Sequence, residues 1–145
     1  MTKMICVFLV LILAVSMIGV DFSVGVKIHG HFEPFVAVNF DTWLLGFQVK
    51  AGVIFATDSI VLVPGLYLYK DIASWRVHGG VEGLIHLGEM ECLMLAGAGA
   101  SYGFKTDFGR VLVGGELGLP ISLPGDFFVD ATMKLVPTFL IQLEF

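Results

Sequence analysis

The chain has 145 residues, the size of a single domain. Only 14% of its residues are charged and its mean hydropathy is +0.90, whereas soluble globular proteins carry about 25% charged residues. The net charge is −5 and no basic cluster reverses it locally, which excludes nucleic acid as an electrostatic partner. The composition indicates a chain whose solvent is partly lipid.

The N-terminal segment predicts export. An unbroken apolar run over residues 4–15 follows Lys3, and the small residues Ser16 and Gly19 come next. This order is typical of a secretory signal peptide, so we predict a signal-peptide helix over residues 1–20. Cleavage after Ser16 is the first choice and cleavage after Gly19 the second. The alternative is an uncleaved membrane anchor, because the apolar stretch reaches about 17 residues, the lower limit for a spanning helix.

The rest of the chain, residues 21–145, alternates between apolar and polar or small residues, the pattern of β-strands. Short runs of turn-forming residues interrupt the alternation, and no helix of useful length fits. We predict strands over residues 22–29, 32–40, 43–56, 59–69, 75–87, 90–103, 110–119, 126–133 and 137–145.

Several of the predicted connections are only two or three residues long, which requires antiparallel neighbours in an up-and-down order. We expect all of the connections to be short. Single-chain bacterial barrels have an even number of strands, whereas nine segments are drawn here. Eight strands are expected from the length, with ten as the alternative, and segments 22–29 and 126–133 are the weakest.

The two faces of these strands differ sharply. One face is apolar and uncharged throughout, with Phe47, Val49, Ile85 and Ile141 as examples. The other face combines many glycines with the charged residues. We predict that its charged members form a network: Lys27, Glu33, Lys50, Arg76, Glu82, Glu91, Arg110, Glu116 and Glu144.

Alternation alone does not show which face meets water. The interior of an eight-stranded barrel is only just wide enough for side chains, so the large apolar residues would overfill it, whereas the glycine-rich set fits. We therefore predict a closed all-β transmembrane barrel over residues 21–145, with the apolar face toward lipid. The alternative is a secreted soluble β-barrel that binds an apolar ligand.

The C-terminal residues carry a resemblance to a known family. Apolar residues recur at every second position and end in a terminal phenylalanine: Phe139, Ile141, Leu143 and Phe145. This pattern resembles the C-terminal signal of bacterial outer-membrane proteins. The chain as a whole is similar to small outer-membrane barrels such as the transmembrane part of OmpA and OmpX. The resemblance implies a location in the bacterial outer membrane, outer-membrane lipids as partners, and the barrel-assembly machinery as a partner during biogenesis.

Three aromatic residues are candidates for a girdle at one membrane interface. Trp43 and Trp75 begin predicted strands that follow turns at the same end of an up-and-down barrel, and Tyr102 ends a strand at that end. Aromatic girdles of outer-membrane barrels are placed in this way. The alternative is that these residues are simply common in strands.

The inward charges are the only candidates for chemistry. Buried charges are tolerated when paired, so a filled lumen and a structural role in the envelope are expected, with a narrow passive pore as the alternative. His78, Glu82 and His86 share one face of a strand at spacings of four residues, which places successive members about 13 Å apart, too far for one metal ion. We expect neither enzymatic activity nor a cofactor, and the sequence leaves the oligomeric state open.

Overall fold

The computed structural model describes residues 19–56, 59–88, 92–121 and 135–145. These residues form eight β-strands: β1 (Gly19–Ile28), β2 (Phe32–Asp41), β3 (Gly46–Ala56), β4 (Ser59–Ile72), β5 (Trp75–His86), β6 (Cys92–Thr106), β7 (Gly109–Ile121) and β8 (Val136–Glu144). In this part of the chain, no helix combines the length and the apolar character needed to cross a membrane.

The sheet closes on itself. Each strand pairs with the next one along the chain, and β1 pairs antiparallel with β8, where Val26 lies opposite Ile141. A closed sheet leaves no unpaired edge, which is the condition for a sheet in lipid. The predicted eight-stranded up-and-down barrel is therefore confirmed, and the alternative of ten strands is wrong.

The barrel has two unlike ends. We call the end where β1 begins and β8 ends the proximal end; it also carries the turns at 42–45, 73–74 and 107–108. The other end, which we call distal, carries the connections at 29–31, 57–58, 87–91 and 122–135. Both ends of the described chain therefore lie at the end where no connection is longer than four residues.

Two predicted elements, the strand over residues 126–133 and the signal peptide, fall wholly or largely outside the described residues. The predicted strand 126–133 lies outside the described residues, and β7 pairs directly with β8 without it. The connection between these strands consequently runs from 122 to 135, so the expectation that every connection is short is wrong. Residues 1–18 are also outside the described residues, so the signal peptide stays a prediction, but Gly19 and Val20 at its predicted end lie in β1 and not in a helix.

The prediction that Trp43 begins a strand is wrong, because Trp43 lies in a turn. The Thr42 hydroxyl donates to the carbonyl of Leu45 at 2.5 Å and accepts from the amide of Leu45 at 3.2 Å. A threonine hydroxyl that bonds the nearby backbone in this way competes with strand pairing. Strand β3 therefore starts only at Gly46.

Strand β4 continues to Ile72, beyond the predicted end at residue 69, because the following turn is tight. Ala73 adopts a left-handed conformation with φ of 56° and completes the turn with Ser74. The longer strand places Lys70 on the outer face near the proximal end, where its Nζ donates to the carbonyl of Leu44 at 2.5 Å. Near the end of a strand, a long lysine side chain can extend along the apolar surface and place its ammonium group in the polar region beyond it.

The inner and outer faces of the barrel are opposite in character. Lys50 and Glu33 have exposed fractions of 2% and 0%, whereas Phe22 and Phe55 have 62% and 69%. Exposed apolar side chains occur on all eight strands. A surface of this kind is suited to acyl chains, and it surrounds a polar interior.

Candidate functional site: a charged plug in the lumen

The centre of the lumen is crossed by a cluster of charged side chains that we call the plug. It comprises Lys27, Glu33, Lys50, Tyr67, Glu82 and Glu116, which come from six of the eight strands. All six side chains are buried. Every second residue of a strand points inward, so each strand can contribute a side chain at a given height in the barrel. Residues far apart in sequence therefore meet there.

Lys27 is the hub of the plug. Its Nζ donates to Tyr67 Oη at 2.6 Å, to Glu82 Oε1 at 2.7 Å and to Glu116 Oε2 at 3.0 Å. An ammonium group has three hydrogens, so each one has a partner. The Nζ also lies 4.7 Å from the centroid of the Tyr67 ring, an additional favourable contact for a cation.

Lys50 extends the plug toward β2. It donates to Glu33 Oε1 at 2.5 Å and forms an ion pair with Glu82, which is thereby shared between two lysines. Two lysines thus face the three carboxylates of Glu33, Glu82 and Glu116. Such a set is tolerated in a low-dielectric interior only when its charges are paired at close range.

Two histidines lie beside Glu33 and Glu116, which each pair with one lysine, whereas Glu82 pairs with two. His29 Nε2 lies 2.9 Å from Glu33 Oε2, and His78 Nε2 lies 3.3 Å from Glu116 Oε2. His29 is in the distal connection after β1, and its hydrogen bond to the Glu33 carboxylate raises the pKa of the imidazole. Protonation of His29 therefore adds positive charge at the edge of a plug in which carboxylates outnumber lysines.

A second charged layer closes the proximal side. Arg76 makes two hydrogen bonds to Asp71, at 2.8 and 2.9 Å, and an ion pair with Glu144. Arg110 joins the layer through Asp71 at 2.8 Å. The Arg76 guanidinium also lies 3.9 Å from the centroid of the Tyr69 ring. Planar stacking and two-pronged pairing are interactions that arginine makes better than lysine.

The space between the two layers is almost filled. Phe35, Ala37 and Leu140 form a small apolar cluster there, and the remaining cavity measures about 20 Å³. That is room for about one water molecule. Ser101 lines this cavity, and its buried Oγ makes no hydrogen bond to any described residue.

Glycines make room for the large inward side chains. A Cβ on Gly97 would overlap Glu116 Oε1, and a Cβ on Gly52 would lie 2.5 Å from Glu33 Oε1. Both approaches are far closer than ordinary contacts between these atoms. The inner-face glycines thus mark positions where a carboxylate from a neighbouring strand crosses the backbone.

Seven of the predicted network residues lie in one of the two layers and are buried: Lys27, Glu33, Lys50, Arg76, Glu82, Glu116 and Glu144. Arg110 is half-buried at the proximal mouth, and Glu91 lies outside the described residues. The sequence pattern did not single out Tyr67 and Tyr69, which are 3% exposed inside the lumen. Their alternation with Leu66 and Leu68 on β4 was the signal that would have indicated them.

The other predicted sets lie on the outer surface. Phe139, Ile141 and Phe145 are exposed on or just after β8, and Leu143 is half-exposed. Trp75 and Tyr102 pair across β5 and β6 with ring centroids 5.3 Å apart, edge to face. Trp43 is 80% exposed in its turn at the same proximal end.

The sequence predicts that three residues of β5 are too far apart to bind one metal ion: His78, Glu82 and His86. His78 and Glu82 are held by separate partners in the plug, and His86 lies near the distal mouth beside Ser59. Within the described ranges, no group of three histidine, cysteine, aspartate or glutamate side chains is placed to hold a metal ion.

Solved structures share this architecture. A de novo designed transmembrane β-barrel matches with a TM-score of 0.54 and 13% identity, over 87% of this chain and 94% of that one. The N-terminal β-barrel domain of Pseudomonas aeruginosa OprF matches with a TM-score of 0.53 and 10% identity, over 87% of this chain and 96% of that one. The fold is that of a small transmembrane β-barrel. The resemblance to small outer-membrane barrels is thus confirmed at the level of the fold. No protein-family model and no curated protein matches the sequence.

Proposed function

We propose that this chain is an integral protein of the bacterial outer membrane with a structural role in the envelope, and that it performs no chemical reaction. The plug is the observation that carries the proposal. It joins five strands through buried ion pairs and a sixth through the hydrogen bonds of Tyr67, and it leaves a cavity for about one water molecule between itself and the proximal layer. A lumen filled in this way stiffens a barrel and blocks passage through it.

The outer surface supports the membrane location. Apolar side chains are exposed on every strand, and the charged residues of the strand centres point inward. Exposed apolar area of this extent is far beyond what a soluble monomer tolerates. This argues against the alternative of a secreted soluble barrel, which would need the opposite sidedness.

The orientation in the membrane follows from the unequal ends. Outer-membrane barrels have short periplasmic turns and longer extracellular loops. We infer that the proximal end faces the periplasm, because its turns at 42–45, 73–74 and 107–108 are tight, whereas the connection at 122–135 lies at the distal end. In this orientation Trp43, Trp75 and Tyr102 mark the periplasmic interface.

Export by a signal peptide over residues 1–20 and recognition of Phe139, Ile141, Leu143 and Phe145 by the barrel-assembly machinery complete the proposal. The latter predicts that Phe145→Asp lowers the amount of folded protein in the outer membrane of expressing cells. Leu135→Asp, an equally exposed position before β8, is the matched control and is expected to have a smaller effect. Equal losses for both variants would contradict a specific role of the terminal phenylalanine.

The principal test is made on the full chain, folded in detergent and then in planar bilayers. A closed barrel is expected to migrate differently on a gel before and after boiling, and to show no stable single-channel current. Identical mobility would overturn the barrel assignment. Steady conductance by the wild-type chain would overturn the plugged, structural role in favour of the passive pore.

A further inference from the structure

The distal third of the lumen differs from the rest of the interior. Above the plug lies a cavity of about 790 Å³, which we call the distal cup. Its apolar wall is formed by inward side chains of six different strands: Ile54, Val61, Leu84, Leu95, Pro120 and Val136. The lumen of a membrane barrel is ordinarily polar where it holds water, so this wall is unsuited to water.

The size of the distal cup matches that of a ligand site. Small-molecule sites measure about 300–1,000 Å³ and are mostly apolar, with a few placed polar groups. An eight-stranded barrel is wide enough to hold one small ligand where its own side chains leave room. The plug forms the floor, because Glu82 is the next inward residue below Leu84 on β5, and the carboxylate of Glu33 lies against Gly52, the next inward position below Ile54 on β3.

Three histidines supply the polar groups of the distal cup. His29, His31 and His86 line it. His86 Nε2 lies 3.3 Å from the hydroxyl of Ser59, and its Nδ1 is buried without a hydrogen-bond partner among the described residues. When Ser59 donates to Nε2, Nδ1 of the neutral ring carries the hydrogen and lacks an acceptor. An orphaned donor in an apolar wall favours a ligand that brings an oxygen.

We propose that the distal cup binds an acyl chain, with the oxygen of its carboxyl or ester head accepting a hydrogen bond from His86. This binding site goes beyond the structural role proposed above and does not depend on it. The same chemistry is present in a free fatty acid and in the chain of a membrane lipid. The experiment therefore has to separate these two sources.

The test uses the full chain in phosphatidylcholine nanodiscs, with methyl groups observed by NMR. Leu84 lines the cup, whereas Ile85, the next residue, lies opposite the exposed Leu62 on the outer face, so they serve as probe and reference. Decanoate is titrated in. A free acyl ligand is expected to give saturable shifts at Ile54, Leu84 and Leu95 and only a linear, non-saturating shift at Ile85. A bound lipid chain is expected to give cross-peaks from lipid to Leu84 before any decanoate is added.

Two variants at neighbouring positions on β6 localise the binding. Leu95→Trp fills the cup, whereas Met94→Trp adds the same side chain to the outer face. We expect Leu95→Trp to weaken decanoate binding by about tenfold or more, or to remove the lipid cross-peaks, and Met94→Trp to preserve both. Heat-dependent gel mobility identifies the folded samples.

His86→Phe tests the head group, because it keeps the apolar volume and removes the donor. We expect it to weaken decanoate binding by about tenfold, the effect of one hydrogen bond to a charged group. Unchanged binding by this variant would overturn the role given to His86. The acyl site itself is overturned if the wild-type chain shows neither saturable shifts nor lipid cross-peaks, or if Leu95→Trp binds as the wild type does.

Discussion

Nζ of Lys27 on β1 lies 3.0 Å from Oε2 of Glu116 on β7, although β8 separates their two strands. The contact therefore passes β8 on the lumen side and does not follow the hydrogen-bonded ladder. The third residue of the group, Glu82, approaches the same ammonium from β5 at 2.7 Å. One lysine thus connects distant parts of the barrel wall, and the contribution of the plug to stability can be tested at this residue.

Lys27→Met is expected to lower the free energy of unfolding by about 3–5 kcal/mol, because it removes the lysine that pairs with buried Glu116 and one of the two lysines that pair with buried Glu82. The measurement is urea unfolding of the protein in lipid vesicles, followed by tryptophan fluorescence and gel mobility.

Two variants serve as controls for this substitution. Lys105→Met removes a lysine exposed at the proximal end and is expected to change stability by less than about 1 kcal/mol. The double variant Lys27→Met with Glu116→Gln is expected to be more stable than Lys27→Met alone, since it leaves one fewer unpaired charge. If Lys27→Met and Lys105→Met behave alike, the plug does not stabilise the barrel.

Gly97→Ala tests the crowding of the backbone by the plug. The new methyl group would overlap Glu116 Oε1, so either Glu116 moves away from Lys27 or the strand shifts. We expect a loss of about 1–3 kcal/mol in the free energy of unfolding, the usual effect of overpacking. Gly88→Ala is the matched control, because nothing lies within 4 Å of the position that its methyl group would take. Equal stability of the two variants would show that the lumen has room to spare.

Much of this architecture is encoded in local alternation. The period of two assigns Lys27 and Lys50 to one face and Val49 to the other, because a strand turns successive side chains to opposite sides. The same alternation puts Tyr67 on the inner face between Leu66 and Leu68, but tyrosine fits either face, so the residue type alone did not indicate a place in the plug. The hydroxyl of Thr42, which ends a strand before Trp43, acts through a bond to Leu45 that alternation does not reveal.

The number of strands and the partners of each charge are harder to predict. The barrel closes where Val26 meets Ile141, a pairing of the two ends of the chain that no local pattern encodes. Alternation in a segment such as 126–133 predicts a strand but carries no information on which strands pair, and β7 pairs directly with β8. Likewise, the contact between Lys27 and Glu116 depends on the stagger of the strands around the barrel.

A charge on the outer face tests the sidedness. Val49→Lys places an ammonium on a side chain that is 50% exposed in the middle of β3. If that face meets acyl chains, the variant is expected to lose about 2–4 kcal/mol of stability in lipid vesicles, as for lysine near the bilayer midplane. Phe108→Lys, in the proximal turn and 83% exposed, is expected to lose about 0–1 kcal/mol. A smaller loss at Val49 than at Phe108 would contradict a lipid-facing β3.

The aromatic pair at the proximal end is suited to a double-mutant cycle. Trp75 and Tyr102 lie directly opposite in the register, with their rings 5.3 Å apart and edge to face. Replacing each with leucine, singly and together, is expected to give a coupling energy of about 0.5–1.5 kcal/mol. The same cycle with Trp43 in place of Tyr102 is the control, and its coupling should be near zero. Similar couplings in both cycles would indicate a general interfacial effect and no specific contact.

His29 gives the barrel a predictable response to pH. The Glu33 carboxylate raises the pKa of this half-buried imidazole through their hydrogen bond. A histidine whose pKa is higher in the folded state than in the unfolded state stabilises the fold when it is protonated in both states. That stabilisation is complete below the ordinary histidine pKa of about 6.5 and is lost as the pH rises through the raised pKa.

We therefore expect the free energy of unfolding of the wild type to decrease as the pH rises from 6 toward 9, and His29→Gln to remove part of that dependence. Unfolding in urea at a series of pH values makes the comparison. His31→Gln is the matched control, because His31 is exposed in the same connection. If His29→Gln leaves the pH profile unchanged, His29 has the same pKa in the folded and unfolded states. The hydrogen bond to Glu33 then does not influence folding.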